Sequence, residues 1–290
     1  MINILRLTWT RWILANEKKF KEEAKKIKDI KIDFLCYLDL YYDWVFRNIK
    51  NGSPLDEYDL FWIGGINWIS MKQWLIYYFW HLKKKEFIDK FSLYKLDNTK
   101  FCQLLFANYY KFNIPKSIFF IIDNTHRKRQ IQLLENKFNY PFIGKNVSKD
   151  RWEWVFLIKN GKELNDLYTK NQSEWFIFQE FVKNTGDIRV ITIWKKVIWA
   201  MKRYSPSWDF KNNISNWWIW EKFEPKNRLK KICIDINKKY WLGISGIDLF
   251  VNWNDYMLIE INDLPQHKWI EKYTKMNFAK EVLEYFSKKW

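Results

Sequence analysis

The chain has 290 residues, 48% of them hydrophobic and 20% aromatic, with a formal net charge of +17. That length supports a sizeable core and two or three subdomains, while the longest apolar stretch, QWLIYYFW at 73–80, falls far short of the roughly 20 residues a membrane helix needs. Cys36, Cys102 and Cys233 stand far apart in apolar runs without CxxC spacing, which speaks against a disulfide framework or a zinc site and makes a reducing cytoplasm the expected compartment.

The start, MINILRL, shows no small-residue cleavage site, so a soluble protein is expected. The basic excess does not by itself point to nucleic acid. Most of the basic residues are lysine, scattered along helical faces such as Lys18 to Lys28 and not interleaved with stacking aromatics, so solvated faces are the favoured reading and nucleic acid the disfavoured partner. The crowding of Lys, Ile, Asn, Phe and Tyr, amino acids of A/T-rich codons, accounts for the bias.

In chain order, Ile2 to Leu7 reads as a short strand, Asn16 as an N-cap for a Lys/Glu-rich helix through Ile27, and Lys31 to Tyr37 as a second strand. After the loop NGSPLDE comes a strand from Tyr58 to Gly64, then an apolar-periodic helix to about Leu82. Strand and helix alternating at this spacing predict a small parallel α/β unit over 1–97. From Asp97 the pattern changes to α+β: a helix capped by Asp97 or Asn98 and ended before Pro115, a strand Ser117 to Ile122, a helix Arg127 to Lys137, and strands Pro141 to Asn146 and Trp154 to Lys159. A helix Lys162 to Thr169 and a strand Trp175 to Val182 complete a unit over 98–182. The remainder, 183–290, predicts strands Asp187 to Ile193 and Val197 to Arg203, a helix Pro225 to Tyr240, strands Ile244 to Val251 and Tyr256 to Asn262, and a closing helix from Asn277.

Three constellations carry chemistry. SGIDLF at 245–250 and YMLIEIND at 256–263 read as paired strands with Glu260 and Asn262 on one face and Asp248 on the neighbouring strand. Two carboxylates and an amide oxygen are the hard donors that magnesium prefers, although an exposed polar edge gives the same pattern. Lys145, at the end of the apolar strand PFIGK, can set a point charge on a phosphate. Arg189 in GDIRV and Lys202 and Arg203 in AMKR can line a cationic cleft suited to a phosphoryl group.

PFIGK, a tight loop, QEFV, GDIRV, AMKR, NNIS, GIDLF and EIND, in that order over nearly the whole chain, resemble the ATP-grasp superfamily and within it the RimK-type carboxylate–amine ligases. The resemblance implies an ATP-grasp fold behind an α/β pre-ATP-grasp domain, with ATP and magnesium, or manganese in its place, as cofactors. It implies that Lys145 contacts the ATP phosphates, Glu180 and Phe181 lie at the adenine hinge, Asp187 sits near the ribose, and Lys211, Asn212 and Asn213 form a phosphate-contacting segment. Asp248, Glu260 and Asn262 match the metal ligands, Arg203 the acyl-phosphate clamp, with Arg189 and Asn213 beside it. The implied reaction joins a carboxylate, on a protein tail or small molecule, to an amine such as an amino acid. A nucleotide-binding pseudo-ligase that serves as a protein-interaction module is the alternative. His81, His126 and His267 show no pairing that suggests a nucleophile.

The chain departs from the family in one systematic way. It has 20 Trp and only 8 Gly, where average usage of about 7% predicts roughly 20 glycines. Trp152, Trp154, Trp194, Trp199, Trp217, Trp218, Trp241 and Trp269 stand where the resemblance calls for glycine, several of them in loops whose backbone N–H groups must approach phosphate. UGA codons that mean glycine in the source but are written here as tryptophan explain the exchange better than decay does.

Overall fold

The computed structural model describes residues 1–8, 17–64, 69–90, 99–147, 154–204, 219–252, 255–263, 265, 271–273 and 275–289. The N-terminal sheet is parallel, in the order β2-β1-β5-β6, from β1 (Ile2–Thr8), β2 (Ile30–Cys36), β5 (Leu60–Gly64) and β6 (Glu86–Phe87). Its alternation buries both faces. Leu5 and Leu7 pack with Leu35, Phe61 and Phe79 on one side. Ile4 and Trp62 meet Ile191, Ile193, Met201 and Ile244 of the C-terminal sheet on the other. Helix α1 (Glu17–Ala24) covers this side through Phe20, whose ring meets Phe34, Trp62 and Phe278 edge-on. Helix α2 (Ile69–Ile76) runs on into a π-helical turn, Tyr77–Leu82. A small hairpin, β3 (Leu40–Tyr42) with β4 (Phe46–Asn48), was not visible in the sequence pattern, because three-residue strands are too short to show a period.

Two antiparallel sheets follow. The central one runs β7-β10-β8-β9, from β7 (Ser117–Ile121), β8 (Phe142–Asn146), β9 (Val155–Ile158) and β10 (Trp175–Glu180). Helices α4 (Arg127–Lys137) and α5 (Gly161–Lys170) send Leu134, Leu164, Leu167 and Tyr168 into its core. The C-terminal one runs β13-β12-β11-β14-β15, from β11 (Asp187–Ile193), β12 (Lys196–Tyr204), β13 (Ile219–Lys222), β14 (Ile244–Asn252) and β15 (Asp255–Asn262). Helix α6 (Asn227–Lys239) buries Leu229, Cys233 and Ile236 against it, and α7 (Phe278–Lys289) packs on α1. Helix α3 (Lys100–Tyr109) is capped by Thr99, whose hydroxyl accepts from the Cys102 N–H, and not by Asp97 or Asn98, which lie outside the described residues, as does the expected cap Asn16. No helix of the described residues is long and apolar enough to cross a membrane.

Among the described residues three tryptophans occupy left-handed backbone: Trp44 at φ 68°, Trp194 at φ 46° and Trp241 at φ 56°. For a bulky residue this is a genuine outlier. Trp241 follows α6 where the Trp241 N–H bonds Lys238 O and the Leu242 N–H bonds Asn237 O. That pair of bonds is the Schellman motif, and its C′ position is the one helices fill with glycine. Trp194 is the first central residue of the two-residue loop between Ile193 and Lys196, with positive φ there and not at Lys195; a type II′ hairpin takes glycine at that place. Trp199 differs, lying buried within β12, with its indole N–H lacking a partner among the described residues. The backbone therefore asks for glycine at 194 and 241 on its own account.

Trp44 is 87% exposed, so glycine there relieves strain while giving up little burial. Left-handed non-glycine residues cost about 1–3 kcal/mol and glycine's extra unfolded-state freedom about 0.5–1. Trp44→Gly should stabilise the fold by about 1 kcal/mol in urea unfolding; destabilisation contradicts the backbone argument.

Candidate active site

The site is built on the register of the C-terminal sheet. Arg189 on β11 lies opposite Asp248 on β14, and Asp248 opposite Glu260 on β15, so three charged side chains stand in a row across three strands. One further pair of registered residues, Asp187 on β11 and Arg203 on β12, stands next to that row. A bulge in β15 allows the arrangement: Asp248 pairs with Glu260 but Leu249 with Leu258, so Ile259 is the extra residue.

These groups form a continuous buried ion network. Arg189 donates to both Asp248 oxygens, from Nε at 2.7 Å and NH2 at 2.6 Å. Arg203 NH2 reaches Asp248 Oδ2 at 3.0 Å, while its Nε donates to Asp187 Oδ1 at 2.6 Å and its NH2 also contacts Asp187 Oδ2. Burial pushes the Asp248 carboxyl up, but Arg189 and Arg203 together outweigh it and hold the group below its ordinary value. For Asp187 burial prevails over Arg203 and the shift is upward. Arg203 is raised: desolvation opposes its charge, and the two aspartates overcome it.

Glu260 is treated differently. Burial, then the neighbouring Asp248, push its carboxyl up, with Lys100, Lys145 and Arg189 opposing. Lys145 on β8 is brought down to about 8 by burial, against the pull of Glu260 and with Lys100 adding repulsion. The charges of Lys100 and Lys145 therefore both act on Glu260. Lys100 was not singled out from the sequence; the signal is Gln103, one turn later on the same face of α3. Gln103 donates to Ile261 O at 2.9 Å and accepts from the Ile261 N–H at 2.8 Å, pairing with the edge of β15 as a strand would. This contact fixes α3 beside Glu260.

Asn262 Nδ2 is buried without a hydrogen-bond partner among the described residues. The Asn262 amide, Glu260 on the same face of the strand and Asp248 opposite Glu260 form a hard-oxygen donor set that fits a divalent cation. Among the described residues no three His, Cys, Asp or Glu side chains gather as a metal cluster. At the far end of the central sheet, Glu180 accepts from the Lys116 N–H at 2.9 Å and returns its own N–H to Lys116 O at 3.0 Å, with Phe181 next in the chain. Lys202 lies over the Tyr204 ring at 5.4 Å. Lys211, Asn212, Asn213, His267 and the loop tryptophans Trp152, Trp217, Trp218 and Trp269 lie outside the described residues.

Three antiparallel and parallel sheets in this arrangement, with a lysine on one and acidic residues on the next, define an ATP-grasp fold. The chain belongs to the RimK-like ATP-grasp family, whose domain model matches residues 96–286. Among curated relatives, a probable alpha-L-glutamate ligase of Legionella pneumophila is 30% identical over 115 residues, 39% of this chain and 38% of that protein. A probable alpha-L-glutamate ligase 1 of Shewanella oneidensis is 28% identical over 114 residues, 39% of this chain and 38% of its own. These matches span well under half of the relatives' length. Among solved structures, a macrocyclase bound to its precursor peptide from Microcystis aeruginosa superposes with a TM-score of 0.72 at 16% identity, over 98% of this chain and 99% of that one. A D-alanine–D-alanine ligase of Bacillus anthracis gives 0.65 at 13%, over 98% and 95%. These likenesses show the fold.

Removing Asp248 strands the buried Arg189 and takes one of the two aspartates from Arg203, so Asp248→Ala should lose about 3–5 kcal/mol of stability. Glu260→Gln removes a charge that burial disfavours and should be at least as stable as the parent. Urea unfolding of the two variants checks the contrast, and equal destabilisation would contradict it. For Lys145 the sign follows from protonation. Its cation is the phosphate-binding form and is lost as pH rises through about 8. ATP affinity should fall by up to about tenfold per unit above that pH and stay level in Lys145→Arg; a level profile for the parent contradicts a phosphate contact.

Proposed function

We propose that this protein is an ATP-dependent carboxylate–amine ligase. The observation that carries the reading is the buried Arg189–Asp248–Arg203 network with Glu260 in register beside it and the charges of Lys145 and Lys100 acting on Glu260. A substrate carboxylate oxygen attacks the γ-phosphorus of ATP, the bond to the β,γ-bridging oxygen breaks, and ADP leaves with an acyl phosphate formed. An amine then attacks the acyl carbon, the tetrahedral state collapses with loss of inorganic phosphate, and the amine's proton departs to give the amide.

No protein nucleophile is required; positioning and charge stabilisation suffice. Lys145 holds the ATP phosphates. Asp248, Glu260 and Asn262 would hold magnesium, which supplies charge neutralisation at the phosphoryl oxygens when bound. Arg189 and Arg203 place positive charge beside the transferring group, and Lys211, Asn212 and Asn213 extend the phosphate contacts. Glu180 and Phe181 frame the adenine end. Asp187 is joined to Arg203, so its part is to hold that guanidinium in place. The names of the curated relatives favour glutamate as the amine, and the acceptor is a peptide or small-molecule carboxylate in the cytoplasm.

The natural protein carries glycine at Trp194 and Trp241, and by the same coding argument at Trp152, Trp154, Trp217 and Trp218. The left-handed backbone at the first two supports this, and a coding sequence with UGG at all six positions would end it. The interaction-module alternative draws on the same loops, since indoles there block the approach of phosphate.

The test uses the chain with glycine at these six positions, supplied with ATP, magnesium, hydroxylamine as the amine and a panel of carboxylates. ATP-dependent hydroxamate is expected, reduced at least about 100-fold in Glu260→Gln. ATP binding without hydroxamate from any carboxylate supports the interaction module, and turnover indifferent to Glu260→Gln removes the metal assignment.

A further inference from the structure

Strand β15 ends its sheet, so the backbone groups along its free side need partners from elsewhere. They come from one segment, α3 and the residues that follow it. The Leu258 N–H donates to Asn113 O at 2.8 Å, while the Gln103 amide accepts from the Ile261 N–H at 2.8 Å and donates to Ile261 O at 2.9 Å. In an unbroken strand, backbone groups three residues apart point to opposite edges. Here both point outward, because Ile259 is the extra residue of the bulge and resets the phase. The clasp therefore brackets the bulge, and Glu260 lies between its two ends.

Ile261 is also the residue between Glu260 and Asn262, the two β15 members of the hard-oxygen set. Each peptide unit is planar. Holding the Ile261 N–H orients the unit shared with Glu260, and holding its C=O orients the unit shared with Asn262. An amide side chain suits this task because it carries a donor and an acceptor, as a peptide group does. The helix that presents it is itself anchored: Ala107, one turn on, and Phe106 pack in the core beneath the C-terminal sheet, with the Phe106 and Tyr240 ring centres 4.0 Å apart. Gln103 is 8% exposed, so its loss would leave buried backbone groups to find new partners.

We propose that Gln103 is a positioning residue for the acidic site, holding Glu260 and Asn262 in an arrangement that favours magnesium over calcium. Magnesium demands near-ideal octahedral geometry, whereas calcium accepts varied ligand numbers and distances. A strand edge clamped on both sides of its bulge is the rigid support that the more demanding ion needs. The cation comes from the ligase reading; the clasp does not.

Titration calorimetry of magnesium and of calcium into the full chain, with glycine at the six positions named above and ADP at a fixed concentration, tests this after subtraction of binding to ADP alone. Gln103→Met keeps the length of the side chain and removes both bonds. Magnesium should then bind about tenfold or more weakly, and calcium within about threefold of the parent. Phe106→Leu loosens the seat of α3 without touching the clasp, and should lower the urea midpoint while leaving the ratio of the two affinities unchanged. Equal losses of magnesium and calcium in Gln103→Met, an unaltered magnesium affinity, or a matching shift of the ratio in Phe106→Leu overturns the proposal. If Gln103→Met does not fold, the parent alone decides, because linkage is reciprocal: adding magnesium to the ADP complex should slow hydrogen exchange at the Ile261 amide by about tenfold, and unchanged exchange overturns the proposal. Glu260→Gln separates the two readings. Magnesium binding that is lost in Glu260→Gln but kept in Gln103→Met defeats only the clasp. Selective loss of magnesium in Gln103→Met without hydroxamate formation by the parent defeats only the ligase, and magnesium binding indifferent to Glu260→Gln removes the metal assignment and this proposal with it.

Discussion

The buried run Asp187–Arg203–Asp248–Arg189 is the constraint on which the site depends. Two guanidinium groups and two carboxylates cancel in net charge, and each aspartate lies against at least one arginine. Isolated, any of these ions would be expelled from the interior or neutralised. Together they are tolerated in the middle of a sheet, and they fix the side-chain directions of β11, β12 and β14. Glu260 and Lys145 lie at the edge of this network and are less well matched, one raised and the other lowered by burial. Imperfect neutralisation there leaves room for a charged ligand to complete it.

The N-terminal sheet is joined to this assembly through tight packing. Ile4 and Trp62 share a core with Ile191, Ile193 and Ile244, and the backbone of Gly243 lies so near Ile88 that a Cβ would stand 2.4 Å from the Ile88 carbonyl oxygen. Glycine alone permits that approach. The contact brings Asp89 onto the Gly243 and Ile244 N–H groups and sets the end of the parallel sheet against the start of β14, the strand that carries Asp248.

Much of this was legible in the sequence. Alternation placed β11, β14 and β15 within a residue or so, and the two-residue spacing of Glu260 and Asn262 put them on the face opposite Ile261. The pairing of Asp248 with Glu260 also followed from the hairpin, although the bulge that produces it did not. Contacts between elements distant in sequence were hidden: Gln103 on Ile261 spans 158 positions and Asp89 on Gly243 spans 154, and no local period records them. For that reason Lys100 was not singled out. The glycine signal was legible as a surplus of tryptophan and as tryptophans standing where the resemblance calls for glycine. The backbone at Trp194 and Trp241 supplies its physical content, a conformation that the written side chains resist.

The central claim is that the acidic row on β14 and β15 and the lysine on β8 jointly hold a nucleotide and its metal. A crystal structure of the glycine-bearing chain with ADP and manganese tests it most directly, because manganese is located by its own anomalous signal. The account predicts that the signal lies among Asp248, Glu260 and Asn262, with Lys145 Nζ on a phosphate oxygen. A nucleotide bound elsewhere, or manganese without Glu260 among its ligands, would contradict it.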